Sequence, residues 1–166
     1  MTIPRFRIGH GYDLHRLQPG GTLVLAGVAV STEISPVAHS DGDVVIHATV
    51  DAILGALGLG DIGEHFPDTD PRWKGAASRV FLEHAVGLAR EAGFSIGNVD
   101  VTILAERPRL KAHKPEMVRT LSAILSGGGP AVAVNVKAGT NEKCDAIGRG
   151  EAIAAHAVVL LVGAAE

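Results

Sequence analysis

The last long segment of the chain, residues 151–162, limits the fold more than any other. After Glu151 it carries Ala, Ile, Val and Leu at odd and even positions alike, interrupted only by His156. Successive side chains of a strand point to opposite faces, so a strand of this composition needs apolar cover on both. A chain of 166 residues builds one core and lays helices over one face of a sheet. Part of the second cover is therefore expected from a neighbouring subunit.

Period-two alternation and turn residues predict further strands at 6–17, 22–30, 98–104 and 131–137. The second is read as the hairpin partner of the first, across Pro19-Gly20-Gly21. Residues 31–38, with Pro36, read as a loop. Helical spacing predicts helices over 41–57, stopped by Gly58 and Gly60, over 76–92, stopped by Gly93, and over 113–125, with Pro115 in its first turn. The order β-β-α-α-β-α-β-β implies an α/β (α+β) fold: a single mixed β-sheet with helices packed on one face. No repeat or linker divides it, so one domain spanning 1–166 is expected.

Composition excludes several classes. A net charge of −3 with scattered basic residues offers no footprint for nucleic acid or a membrane surface. Cys144 is the only cysteine, so no internal disulfide can form. No run reaches the ~18 apolar residues of a membrane span. The opening Met-Thr-Ile-Pro-Arg-Phe-Arg carries no apolar leader, and the cytoplasm is the expected compartment.

The chemistry is concentrated elsewhere. His39-Ser40-Asp41-Gly42-Asp43 leads into the first apolar helix, and His47 follows two turns in. Ser40 and Asp43 have capping-box spacing, which would start the helix at Asp41. Asp51, at i+4 from His47, reads as the carboxylate that orients its ring. Two readings stand at this point: a well-capped helix with a hydrogen-bonded core histidine, or a helix bearing a metal ligand. Asp13 and His15, two apart in extended chain, share one side of the first strand. With His47 they supply one oxygen and two nitrogens, the three-ligand set that leaves a catalytic zinc with an open position. Phosphate-facing candidates are the helix start at Ser40, the loop Glu106-Arg107-Pro108-Arg109-Leu110-Lys111, Thr140 and Arg149. Glu142 is a spare carboxylate suited to Mg²⁺ beside a substrate phosphate. No phosphate-binding G-x-x-x-x-G-K-[ST] loop, dinucleotide fingerprint or serine elbow is present.

Six motifs in order carry a resemblance. They are Arg7-Ile8-Gly9-His10-Gly11-Tyr12-Asp13-Leu14-His15, His39-Ser40-Asp41-Gly42-Asp43, Asp61-Ile62-Gly63 with Phe66-Pro67-Asp68-Thr69-Asp70, the segment 97–102, Asn135-Val136-Lys137, and Gly148-Arg149-Gly150-Glu151. Together they resemble the 2-C-methyl-D-erythritol 2,4-cyclodiphosphate synthase family over about residues 6–163. The resemblance implies a lyase of the non-mevalonate route to isoprenoid precursors. Its substrate would be 4-diphosphocytidyl-2-C-methyl-D-erythritol 2-phosphate, closed to the cyclic diphosphate with loss of CMP. By the same resemblance Asp13, His15 and His47 hold Zn²⁺ or another divalent metal that polarises the β-phosphate. His39 and Thr140 stabilise the transition state, Ser40 holds a phosphate, and Glu142 holds Mg²⁺ or Mn²⁺ with the diphosphate. Asp61 and Gly63 would hold the erythritol hydroxyls, with the loop Phe66, Pro67, Asp68, Thr69 and Asp70 closing over them, and Leu14 and Ile62 would also bind substrate. Ala105, Glu106, Arg107, Pro108, Arg109, Leu110 and Lys111, with Ala138, Gly139 and Thr140, would form the cytidine pocket, Asn141 and Ala146 would also bind substrate, and Arg149 would lie near a phosphate. Gly139 stands where the family commonly has Thr. Family members are homotrimers with sites between subunits; neither nucleic acid nor membrane is an expected partner.

Overall fold

The computed structural model describes residues 5–163, so the opening 1–4 read above for a leader, and the closing 164–166, lie outside it. β1 (Phe6–Pro19) is the strand on which the rest is laid. It pairs antiparallel with β7 (Ala152–Gly163), from Phe6↔Val162 to Arg16↔Ala152. β5 (Phe94–Leu104) lies antiparallel on the other side of β7, and β6 (Ala133–Gly139) runs parallel to β5. A short β4 (Ile34–Pro36) closes the opposite edge, giving the order β4-β1-β7-β5-β6 in a mixed sheet.

One face of that sheet is covered by α1 (Val44–Leu57), α3 (Arg79–Glu91) and α4 (Lys114–Ser126). α1 is apolar almost all round and buried along both its sides, as such a helix must be. It lies directly on β1 because Gly9 and Gly11 have no side chains there. A Cβ on Gly9 would stand 1.7 Å from the Ala52 carbonyl oxygen, and one on Gly11 1.9 Å from that of Ala48. Ile153, Ala155, Ala157, Val159 and Leu161 of β7 are completely buried under the helices. The other face is open: Phe6, Ile8, Tyr12, Leu14 and Val158 are exposed large apolar residues, with Ile8 at 73%. The two-faced character of the last strand is thus met along one side; on the other, only Ala152 and Ala154 are covered, by Ile147, and Val158 is left exposed. Among the described residues, no helix is long and apolar enough to cross a membrane.

Several local expectations are corrected. Residues 22–30 form two strands, β2 (Leu23–Leu25) and β3 (Val28–Ser31), that pair with each other and not with β1. Ala26 and Gly27 adopt positive φ of 53° and 75°, as a tight two-residue hairpin turn requires. β4 falls inside the expected loop at 31–38; three residues are too few to show alternation. α1 begins at Val44, and its cap is Asp43, whose carboxylate accepts the Val45 and Ile46 N–H groups. The same carboxylate accepts the turn's Ala26 and Gly27 N–H groups at 2.9 and 2.7 Å, tying hairpin to helix. Burial pushes Asp43 up to about 6, against the hydrogen bonds from Gly27, Ala26 and Ile46. β5 begins at Phe94, four residues early, because a register shift between Ile96 and Asn98 breaks the alternation. Two short helices, α2 (Ile62–His65) and α5 (Asp145–Gly148), and a 3₁₀ turn at Pro71–Trp73 occupy expected loops.

Candidate metal centre

Period two along β1 places Gly9, Gly11, Asp13 and His15 on one face, toward α1. The glycines set the helix close to the strand, and the first turn of α1 then delivers His47 to the two polar positions that follow. Asp13 Oδ2 lies 2.9 Å from His47 Nδ1 and 3.3 Å from His15 Nε2, and the two ring nitrogens are 3.3 Å apart. Zinc bonds of about 2.0–2.1 Å in a tetrahedron set ligand atoms about 3.3 Å from one another. The triangle therefore matches one face of such a tetrahedron, and it is the group of potential ligands found among the described residues.

Burial is the largest influence on His15 and holds its pKa below the usual histidine value, against the pull of Asp13. Burial also opposes charge on His47, but its hydrogen bond to Asp13 and the fields of Asp13, Asp43 and Asp41 prevail, leaving its pKa raised. Asp51 does not orient the ring. Its Oδ1 accepts the Ile62 N–H at 2.8 Å, and burial raises its pKa. The second nitrogen of His47 instead meets Ser78 Oγ at 2.7 Å and Ser40 Oγ at 3.2 Å. Ser78 donates in turn to Asp41 Oδ1 in a short bond.

The triad borders a cleft of about 750 Å³. Its other walls include His39, Ser40, Ile62, Gly63, Phe66, Pro67 and Asp68 from the expected site, and Val37, Ala38, Trp73 and Phe81, which the sequence reading missed. Phe66, Trp73 and Phe81 pack ring to ring, with Phe66 and Phe81 centroids 4.4 Å apart. Both His39 Nε2 and the Trp73 indole N–H are buried in this wall without a hydrogen-bond partner. Such groups are costly unless something pairs with them. Asp61 caps α2 through the Glu64 N–H, and Asp70 caps the 3₁₀ turn and pairs with Arg72.

The remaining expected residues do not line that cleft. Ala105–Lys111 follow the end of β5; Ala138 and Gly139 end β6, and Thr140–Arg149 follow it. Thr140 donates to Glu142 Oε1 at 2.9 Å, Asn141 bonds Asp145, and Arg149 forms an exposed pair with Glu151. The register runs from Asp13 to Ala155, from Ala155 to Ile103 and from Ile103 to Ala138. At ~4.8 Å per strand, the loop after β5 stands about 10 Å and the loop after β6 about 14 Å across the sheet from the triad.

The description of the YgbB family matches residues 6–162 of the chain. The chain belongs to the YgbB family. Within it, the chain is 55% identical over 161 residues to the chloroplastic 2-C-methyl-D-erythritol 2,4-cyclodiphosphate synthase of Arabidopsis thaliana, covering 97% of this chain and 68% of that protein. Its fold matches the bifunctional IspDF of Campylobacter jejuni with a TM-score of 0.92 at 40% identity, covering 98% of this chain but 44% of that longer one. It matches the Plasmodium falciparum IspF CDP complex with a TM-score of 0.82 at 35% identity, covering 95% of this chain and 96% of that one.

Proposed function

We propose that this chain is a divalent-metal-dependent phosphorus–oxygen lyase of the non-mevalonate route to isoprenoid precursors. It converts 4-diphosphocytidyl-2-C-methyl-D-erythritol 2-phosphate to 2-C-methyl-D-erythritol 2,4-cyclodiphosphate and CMP. An oxygen of the 2-phosphate forms a bond to the β-phosphorus and closes the ring. The bond from that phosphorus to the bridging oxygen breaks, and CMP departs with the oxygen. The observation that carries this reading is the Asp13–His15–His47 triangle, open to a cleft, in a chain whose named relatives are synthases of this cyclodiphosphate.

The attacking phosphate is tethered within the substrate, so no protein nucleophile is required. The protein's work is to hold two like-charged phosphates in line and to offset their charge. Three nitrogen and oxygen ligands with a position left open suit zinc, which when bound supplies Lewis-acid compensation at the phosphate. Glu142 is the carboxylate for a Mg²⁺ or Mn²⁺ ion accompanying the diphosphate. His39 and Ser40, at the mouth of the triad cleft, and Thr140 offer hydrogen bonds to the reacting phosphates. Asp61, Gly63 and the Phe66–Asp70 segment hold the erythritol, and the loops after β5 and β6 hold the cytidine.

We read the chain as a single domain that works as a homotrimer in the cytoplasm. The open apolar face of β1 and β7 supports assembly, as does the separation of the cytidine loops from the triad. That separation suits a site whose two parts come from neighbouring copies. Phosphorus NMR of the purified protein with substrate, zinc and magnesium tests the activity. A cyclic diphosphate and CMP are expected. A linear phosphate product would make the protein a hydrolase, and no release of CMP would end the proposal.

A further inference from the structure

We propose that Ser78 and Asp41 are positioning residues that hold the His47 ring by accepting its Nε2–H, so that Nδ1 is the nitrogen turned to the metal site. The inference rests on the metal reading above. It begins from an oddity of α3. Ser78 occupies the N-cap of that helix, where a serine hydroxyl ordinarily accepts an N–H of the first turn, yet it makes no such bond. The Phe81 and Leu82 N–H groups bond the Ser78 carbonyl oxygen instead. The side chain is completely buried and turned toward α1.

The direction of each hydrogen bond there follows from chemistry. A carboxylate only accepts, and Asp41 Oδ1 is within a short bond of Ser78 Oγ, so the single hydroxyl hydrogen of Ser78 points to Asp41. Ser78 Oγ then faces His47 Nε2 at 2.7 Å with only lone pairs, and Nε2 must carry the hydrogen. Nδ1, 2.9 Å from Asp13 Oδ2 and 3.3 Å from His15 Nε2, is thereby the nitrogen turned to the metal site; without a metal it donates to Asp13, and a bound metal would take the place of that hydrogen. Asp41 is itself held in place. Its Oδ2 accepts the Ser78 N–H at 2.9 Å, its Oδ1 accepts the Asp43 N–H at 3.3 Å, and its own N–H reaches the Ala76 carbonyl at 3.1 Å. The relay joins the segment before α1, the start of α3 and the ligand on α1. It also leaves Ser40, the more distant partner of Nε2, with a hydroxyl hydrogen available to a substrate.

The test is nitrogen-15 NMR of labelled histidine in the zinc-loaded wild-type protein, combined with zinc titrations. Nε2 is expected to give the protonated, pyrrole-like signal and Nδ1 the signal of a metal-bound nitrogen. The opposite assignment overturns the proposal, and this measurement needs no variant. Ser78→Ala is expected to weaken zinc binding by about 10–100-fold and to speed solvent exchange of the Nε2 hydrogen in the zinc-loaded protein, with Ser78→Thr recovering both. A folded Ser78→Ala protein with wild-type zinc affinity and unchanged exchange overturns it as well. If the wild type bound no zinc, the proposed function would fall first, and this role with it.

Discussion

The triad around His47 and the loop around Glu142 stand at the same end of the sheet but are built in opposite ways. The triad is assembled from a strand and a helix, is mostly buried, and has its orienting bonds supplied by the chain itself. The Glu142 loop is exposed, carries positive φ at Glu142, Lys143 and Asp145, and is held by short-range bonds to its own residues. About three strand spacings separate them. On the proposed function, the difference teaches that one chain would prepare the metal half of a site and leave the nucleotide half as a surface to be met by a counterpart.

The sharpest way to break this comparison is to disable each half and look for unequal losses. His47→Ala should lower turnover by roughly 10³ or more, since it removes a ligand and with it the charge compensation, while the circular dichroism spectrum stays that of a folded protein. Glu142→Ala should cost less, about 10²-fold, and the loss should shrink as magnesium is raised. If the halves come from different copies, refolding the two inactive variants together should restore about a quarter of the wild-type sites, and a mixture that stays inactive would place both halves in one chain.

The triad was legible in the sequence because its cues are local. Asp13 and His15 share a face by period two, and His47 sits beside a capping stretch. What orients His47 was not legible. Helical spacing favoured Asp51, but one turn along α1 that carboxylate reaches α2 and caps Ile62. The true partner, Ser78, comes from 31 residues away and falls inside the helix expected over 76–92, where nothing in the sequence marks it. The strands β2, β3 and β4 escaped full reading for another reason: each has three or four residues, and their pairing is decided by the Ala26–Gly27 turn and by Asp43. The α+β class, the helices on one face and the uncovered side of β7 followed from composition along long segments, where many residues agree.

Two smaller effects refine the comparison. In the metal-free protein the raised pKa of His47 means that its ring holds a proton at mildly acidic pH, and a metal must displace it. Zinc affinity should therefore be level above that pKa and fall about tenfold for each pH unit below it, as read by calorimetric titration at several pH values. On the nucleotide half, Gly139→Thr is expected to tighten CDP binding by only a few-fold, worth about 1 kcal/mol for one added hydrogen bond. The site has room for the change, since a Cβ on Gly139 meets nothing within 4 Å.

The bare backbone at Gly9 and Gly11 has a consequence for how this fold can vary. A methyl group at either position would act as a shim between strand and helix, wedging α1 outward along its whole length. His47 rides on that helix while Asp13 and His15 ride on the strand, so the shim would pry open the triangle of ligands from a place no ligand touches. Two residues without side chains thus set the gauge of the metal site, and tuning at a distance is available to any mutation that changes how deeply the helix is seated.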